Sequence, residues 1–280
     1  HALFPQWYDA RFLNKNSVQE CENHVKVEAN QIKELIRTIH DNCNTKIIIN
    51  NFKVPYYSPL GILDTRSATG LKHMVYSLNR KLECFAAKTD YAYVFDYNGL
   101  CAHIGHCRSE DNKLSCLAGC PVSYHAIKQL ANEYMRYILP LNAMGKKCLV
   151  LDLDNTLWGG IAAEDGIGGV SLDITGPGKS FYDFQKEIMN LYHRGILLAI
   201  NSKNNPQDAL EIIENHPHML LRKSFFSCIR INWQDKVTNL REIASELNIG
   251  LDSLVFADDS PVEREYVKAM LPHTMVMTNW

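Results

Sequence analysis

Two aspartates one residue apart, Asp152 and Asp154, close an apolar run that starts at Cys148. A carboxylate at a strand end can attack phosphorus and hold the phosphoryl group as an aspartyl phosphate. Asp152, the first of the pair, is the expected nucleophile. Asp154 is placed to protonate the leaving oxygen and later to activate water. Attack of one anion on another needs its charge offset, and magnesium does this with carboxylates, phosphate oxygens and retained waters. Asp152, Asp154, Asp258 and Asp259 are the carboxylates expected to supply its protein ligands. Ser202 can donate to a phosphoryl oxygen, and Lys236 can place a point charge on the same group. Asn155 and Lys203, next to these residues, are further candidate phosphate contacts. Each residue also has a plainer reading. An Asp-x-Asp is often a turn, a lone Ser a helix cap, and a lone Lys a solvated surface group. Asp258-Asp259-Ser260-Pro261 is also a good helix start. What joins them is that all four groups follow apolar strands.

Those strands belong to a regular rhythm. After a boundary at 140–147 the pattern predicts strands at 148–151, 196–200, 228–231 and 254–257. Helices are predicted at 181–193, 206–215, 235–247 and 261–270. Strands alternating with helices imply a mostly parallel, Rossmann-like sheet covered on both faces, with ligands bound at the carboxyl ends of the strands. The first half reads as a smaller α/β region. Helices are expected at 17–40, 74–85 and 123–139, the last stopping at Pro140, and strands at 46–50 and 91–95. The domains are thus expected at 1–145 and 146–280. Between Trp158 and Ser180 seven glycines suggest a hairpin flap, and 205–232 has room for only a helix and a strand, so no large cap is expected.

With 280 residues, 46% hydrophobic and 21% charged, the chain has an ordinary globular balance. A net charge of -2 and no Lys/Arg block argue against nucleic acid. No apolar run reaches membrane-span length, no secretory leader is visible, and a cytoplasmic protein is expected. The chain opens on His1 rather than Met, as an expression scar or a piece of a longer protein would. Nine cysteines, an odd number, fit free thiols better than a disulfide framework. Cys101, His103, His106, Cys107, Cys116 and Cys120 could supply zinc ligands, but they lack paired C-x2-C spacing, and free thiols are the expected state.

The longer strings carry a resemblance. Asp152-Leu153-Asp154-Asn155-Thr156-Leu157-Trp158-Gly159-Gly160 resembles the first motif of the haloacid-dehalogenase superfamily. Ser202, Lys236 and Asp258-Asp259 resemble the other three. With Ser202-Lys203-Asn204, Asn232-Trp233-Gln234-Asp235-Lys236 and Val255-Phe256-Ala257-Asp258-Asp259-Ser260-Pro261-Val262-Glu263-Arg264, the stretch 148–272 resembles the FkbH-like family of polyketide assembly lines. Asn201 stands where many relatives carry Cys. The first half resembles that family's N-terminal region loosely, as a partial hydrolase-like domain without its serine motif. It is expected to be mainly structural or a partial roof.

The resemblance implies that 1,3-bisphosphoglycerate, a phosphorylated three-carbon substrate, loses its phosphates while its glyceryl unit is loaded on the thiol of an acyl carrier protein. It also makes Cys148 a candidate to hold that unit as a thioester. Geometry opposes this, because four residues of strand separate Cys148 from Asp152 by roughly 13 Å. Two other functions share the same residues: a plain magnesium-dependent phosphohydrolase, and a non-catalytic docking module in a megaenzyme.

Overall fold

The computed structural model describes residues 17–278 together with Trp7, Asp9 and Leu13. The chain divides into two compact units, His1–Leu141 and Asn142–Trp280.

In the first unit, helix α1 (Val18–Cys43) starts at a reciprocal cap. The Ser17 hydroxyl accepts from the Glu20 N–H, and the Glu20 carboxylate accepts from the Ser17 N–H. Strand β1 (Ile47–Asn50) pairs in parallel with β2 (Ala92–Phe95), and helix α2 (Leu71–Ala86) lies between them in sequence. Gly70 opens α2 without a capping side chain. The cap comes from a distance instead: buried Asp64 accepts from the Leu71 N–H at 2.7 Å and the Lys72 N–H at 3.3 Å. A Cβ at Gly70 would sit 2.4 Å from the Asp64 carbonyl oxygen, so this approach requires glycine. Three short helices follow: α3 (Tyr97–Ile104), α4 (His106–Ser109) and α5 (Asn112–Ala118). They hold the cysteine and histidine cluster except Cys120, which lies just beyond α5. Cys101 is buried against Phe95 and Tyr97, whereas Cys107, Cys116 and Cys120 are exposed. Among the described residues none of these joins a group able to hold a metal. Helix α6 (Tyr124–Leu141) takes Pro140 into its last turn instead of stopping before it. At a helix end the proline removes one hydrogen bond and blocks little beyond it.

The second unit is one parallel sheet in the order β5-β4-β3-β6-β7. Its strands are β3 (Cys148–Leu151), β4 (Leu197–Ser202), β5 (Phe226–Ile231), β6 (Leu254–Ala257) and β7 (Met275–Val276). The central strand β3 is buried at every position. Leu149 and Leu151 pack with Leu198, Ile200 and Ile212 on one face, and Cys148 and Val150 with Ala199, Leu240 and Phe256 on the other. Fully burying one such Leu or Ile stabilises by about 1.5–3 kcal/mol, so apolar character is required at each position of this strand. The crossover helices are α8 (Lys179–His193), α9 (Pro206–Asn215), α10 (Lys236–Glu246) and α11 (Pro261–Met270). The last three start at side-chain caps, Asn205, Asp235 and Ser260, and Pro206 and Pro261 fill first-turn positions that need no N–H.

The glycine-rich stretch after β3 departs from the expected hairpin flap. It forms a short helix, α7 (Ala162–Gly169), kinked at Gly166, with a single antiparallel bridge between Gly159 and Ser171. Asp165 accepts from the Ile161 N–H at 2.8 Å, and Ala162, Val170 and Leu172 are buried in the core. Burial of these side chains, not cross-strand pairing, anchors the segment.

Candidate active site

Chain order along the sheet reverses at β3, with β4 on one side and β6 on the other. Ligands of such sheets bind at the carboxyl ends of the strands at that point. Leu151 pairs with Ala257, so the next residues, Asp152 and Asp258, leave neighbouring strands side by side. The Asp152 N–H donates to the Ala257 carbonyl at 2.9 Å and prolongs the ladder by one bond. Ser202 ends β4, and Lys236 opens α10 just after β5.

Lys236 ties these ends together. Its ammonium donates to Asp152 Oδ1 at 2.5 Å, Asp258 Oδ2 at 2.8 Å and the Asn201 carbonyl at 2.9 Å. Three donors meet three acceptors, which a buried ammonium requires. Burial works against its charge, but Asp152 and Asp258 outweigh that and hold its pKa above the usual lysine range. Asp152 is pushed up to about 6, first by burial and then by Asp258, with Lys236 and the Ser202 hydroxyl pulling the other way. Asp259 is also raised, by burial and then by the Asp258 charge.

Asp152, Asp258 and Asp259 each offer an oxygen within 4.8 Å of the others. Three carboxylates thus face one ammonium. Lys236 takes one contact from Asp152 and one from Asp258, and the Ser260 N–H donates to Asp258 Oδ1 at 2.9 Å; each carboxylate oxygen has a second lone pair, so all three carboxylates can still face a cation. A hard divalent ion that binds a few carboxylates and keeps its waters fits this donor set. Arg264 braces the loop by donating to the Asp258 and Asp259 carbonyls, both at 2.7 Å.

Asp154 is held apart from that group. Its Oδ1 accepts from Trp158 Nε1 and the Ala162 N–H, each at 3.0 Å, and its Oδ2 accepts from Asn204 Nδ2 at 2.9 Å. Its carboxylate lies outside the cluster of Asp152, Asp258 and Asp259, although it was expected to be a metal ligand beside them. The same bonds fix its orientation, as an acid–base group needs.

Three other expected site residues have local surroundings of their own. Asn155 has a left-handed backbone (φ 53), and its Oδ1 accepts from the Gly160 N–H at 2.9 Å, so its side chain braces the loop. Gly160 itself has φ 100, a conformation open to glycine. The Lys203 ammonium is paired with Glu263 at 2.6 Å. Cys148 is fully buried at the opposite end of β3 from Asp152, and burial pushes its thiol up to about 12. It is part of the core, not of the site.

Sequence reasoning missed the amides. Asn201 Nδ2 donates to the Lys236 carbonyl at 2.9 Å, and Asn239 Nδ2 donates to Asn201 Oδ1 at 3.0 Å. Both are fully buried. The only sequence signal was the polar Asn201 inside an apolar strand.

No family model matches the sequence, and neither does any curated protein. Among solved structures, the chain is similar to the N-terminal part of protein BF1531 from Bacteroides fragilis, which contains a phosphatase domain and was solved with Mg. The two are 30% identical with a TM-score of 0.80, and the match covers 89% of this chain and 66% of that one. The chain therefore spans just under two thirds of that structure, and the likeness runs through both units. A HAD family enzyme from Bacteroides thetaiotaomicron, solved with magnesium and inorganic phosphate, is 11% identical with a TM-score of 0.35. That match covers 49% of this chain and 95% of the other. The HAD domain of effector protein Lem4 from Legionella pneumophila is 14% identical with a TM-score of 0.31, over 48% of this chain and 86% of that one. These two are too distant to carry an argument. The second unit has the haloacid-dehalogenase type of fold, a parallel sheet without a large inserted cap among the described residues.

Proposed function

We propose that the second unit is a magnesium-dependent phosphotransfer domain in which Asp152 takes a phosphoryl group from a phosphate ester. The observation that carries this reading is the Lys236 ammonium clamped between Asp152 and Asp258, with Asp259 completing an acidic cluster. One Asp152 oxygen bonds to phosphorus as the ester oxygen leaves. Asp154 gives that oxygen a proton. Asp154 then takes a proton from water, which attacks the aspartyl phosphate and frees Asp152 and inorganic phosphate. Ser202 and Lys236 orient the nucleophile and offset charge on the phosphoryl oxygens. Magnesium, held by Asp152, Asp258 and Asp259, would supply further charge neutralisation. The B. fragilis phosphatase domain solved with Mg supports this reading. Hydrolysis of p-nitrophenyl phosphate tests it: activity should appear with magnesium, vanish with EDTA and be lost in Asp152→Asn.

The finer proposal follows the FkbH-like resemblance. The substrate is 1,3-bisphosphoglycerate and the acceptor a phosphopantetheine thiol on an acyl carrier protein. The absence of a large cap over the described site supports a substrate delivered by a protein. Intact mass spectrometry of the carrier after incubation with chain, magnesium and 1,3-bisphosphoglycerate tests this. A glyceryl adduct free of phosphate is expected. A plain phosphohydrolase is the second reading, since it uses the same Asp152, Asp154, Lys236 and Asp258; the burial of Cys148 speaks against a thioester relay on this chain and leaves direct attack by the carrier thiol as the route for transfer. Product that forms without any carrier would decide for it.

A further inference from the structure

Helices α1 and α2 of the first unit gather cations that stand far apart in the sequence. Lys33 and Arg37 come from α1, Arg80 and Lys81 from α2, and Lys88 from just beyond its end. They line an open groove of about 540 Å³, with Cys84 and Phe85 among them. Two have an acid partner three residues away, Arg37 with Glu34 and Arg80 with Glu83. Lys33, Lys81 and Lys88 have no ion-pair partner among the described residues. The crowding is felt at Lys33. Burial first, and then Lys81, Arg37 and Lys88, hold its ammonium below the usual lysine range.

The whole chain carries a net charge of -2, so this surplus is local. Like charges gathered on packed helices destabilise a fold unless a counter-charge arrives. The layout indicates the shape of that counter-charge. Lys33 and Arg37 lie one turn apart on one helix, and from Arg80 to the end of the other at Ala86 is about 9 Å, with Lys88 just beyond. One phosphate is gripped by donors converging on a point. A double rank of this length matches carboxylates repeated at about 6 Å, the rise between i and i+4 on a helix. The floor of the groove is apolar, formed by the buried Phe85. The Arg37 guanidinium lies 5.4 Å from the Phe85 ring centre, so that ring holds one cation of the groove in place. We infer that the groove between α1 and α2 is a docking surface for an acidic protein partner that lays a helix with carboxylates at turn spacing across both helices. This goes beyond the phosphotransfer reading and does not depend on it, because the groove belongs to the first unit alone.

Fluorescence anisotropy with the full chain tests the inference. The probe is a labelled helical peptide with Glu at i and i+4, set against the same residues in scrambled order. The ordered peptide should bind at low salt, weaken as salt rises, and bind better than the scrambled one. Combining Lys33→Gln, Lys81→Gln and Lys88→Gln should weaken it by at least about tenfold. Combining Lys113→Gln, Lys128→Gln and Lys223→Gln, all outside the groove, should leave it unchanged. A second measurement needs no variant: the ordered peptide should protect exposed Cys84 from alkylation while exposed Cys43 stays reactive. Absence of binding, equal binding of the scrambled peptide, or equal weakening by both sets of substitutions overturns the proposal. So does displacement of the peptide by pyrophosphate at equal concentration, or tighter binding of a single-stranded RNA of the same charge. Phosphate-ester hydrolysis is not read in any arm, so the two proposals fail separately.

Discussion

Both units end parallel strands in polar residues, but they neutralise those residues differently. In the first unit, Asn51 Nδ2 donates to Asp96 Oδ1 at 2.7 Å, and the Asn98 N–H donates to Asn51 Oδ1 at 2.8 Å. Asn79 both accepts from and donates to the Phe52 backbone. Lys53 pairs with Glu110 at 2.7 Å, one cation to one carboxylate. In the second unit three carboxylates gather about one ammonium. Strand ends of either sheet provide a place for buried polar groups. Local closure by amides makes a brace, whereas uncompensated negative charge makes a place for a metal and a phosphoryl group.

Breaking one carboxylate in each sheet tests this contrast most sharply. Asp152→Asn should lower magnesium-dependent p-nitrophenyl phosphate hydrolysis by at least about a thousandfold, since the attacking oxygen is lost. Asp96→Asn should leave kcat near its starting value. Comparable losses in both variants would show that the charge argument had chosen the wrong sheet.

Stability should separate the units next. Lys236→Met leaves Asp152 and Asp258 buried without their cation, which costs about 3–5 kcal/mol. Asn79→Ala in the first unit leaves the Phe52 backbone groups unpaired, which costs about 1–3 kcal/mol. Urea unfolding in EDTA should rank the two in that order. Magnesium should then restore part of the loss in Lys236→Met and none in Asn79→Ala.

Magnesium itself gives a smaller effect. A ligand that binds only the folded state at a hundred times its dissociation constant stabilises by about 2.7 kcal/mol. A thermal scan should show that gain in the unaltered chain and lose it in Asp258→Asn. A gain that survives Asp258→Asn would place the metal elsewhere.

These contrasts were only partly legible in the sequence. The strands of the second unit were legible because a sheet buried on both faces needs apolar residues at every position, as in Leu149-Val150-Leu151. Asp152, Ser202, Lys236 and Asp258 were legible because each directly follows or opens such an element. The short helices at 97–118 were not, because α5 buries no residue and so leaves no apolar period to read. The α7 turn was hidden by its glycines. The roles of Lys203 and Asn155 depended on Glu263 and Gly160, and no spacing rule names such partners. The basic groove was invisible for the same reason, since Lys33 and Lys88 meet only once α1 has packed on α2.

The smallest effect lies in the cysteines, which also divide by unit. All five exposed thiols, Cys43, Cys84, Cys107, Cys116 and Cys120, are in the first unit, whereas Cys148 and Cys228 of the second are buried. Burial pushes Cys148 up to about 12 and Cys228 up to about 11, from an ordinary thiol value of 9.0. At neutral pH, iodoacetamide should therefore modify the five exposed residues and leave these two untouched, as peptide mass mapping can show. The sign of the linkage gives a second consequence. An acid whose folded pKa is raised keeps its proton longer in the folded state, so its contribution to stability is full below pH 9 and falls as pH rises toward 11 and then 12. Cys148→Ala should flatten that alkaline loss while leaving phosphate-ester hydrolysis in place. If Cys148 instead labels at neutral pH at the rate of Cys84, the strand end opposite Asp152 is open to solvent, and the thioester relay returns as the better account of this residue.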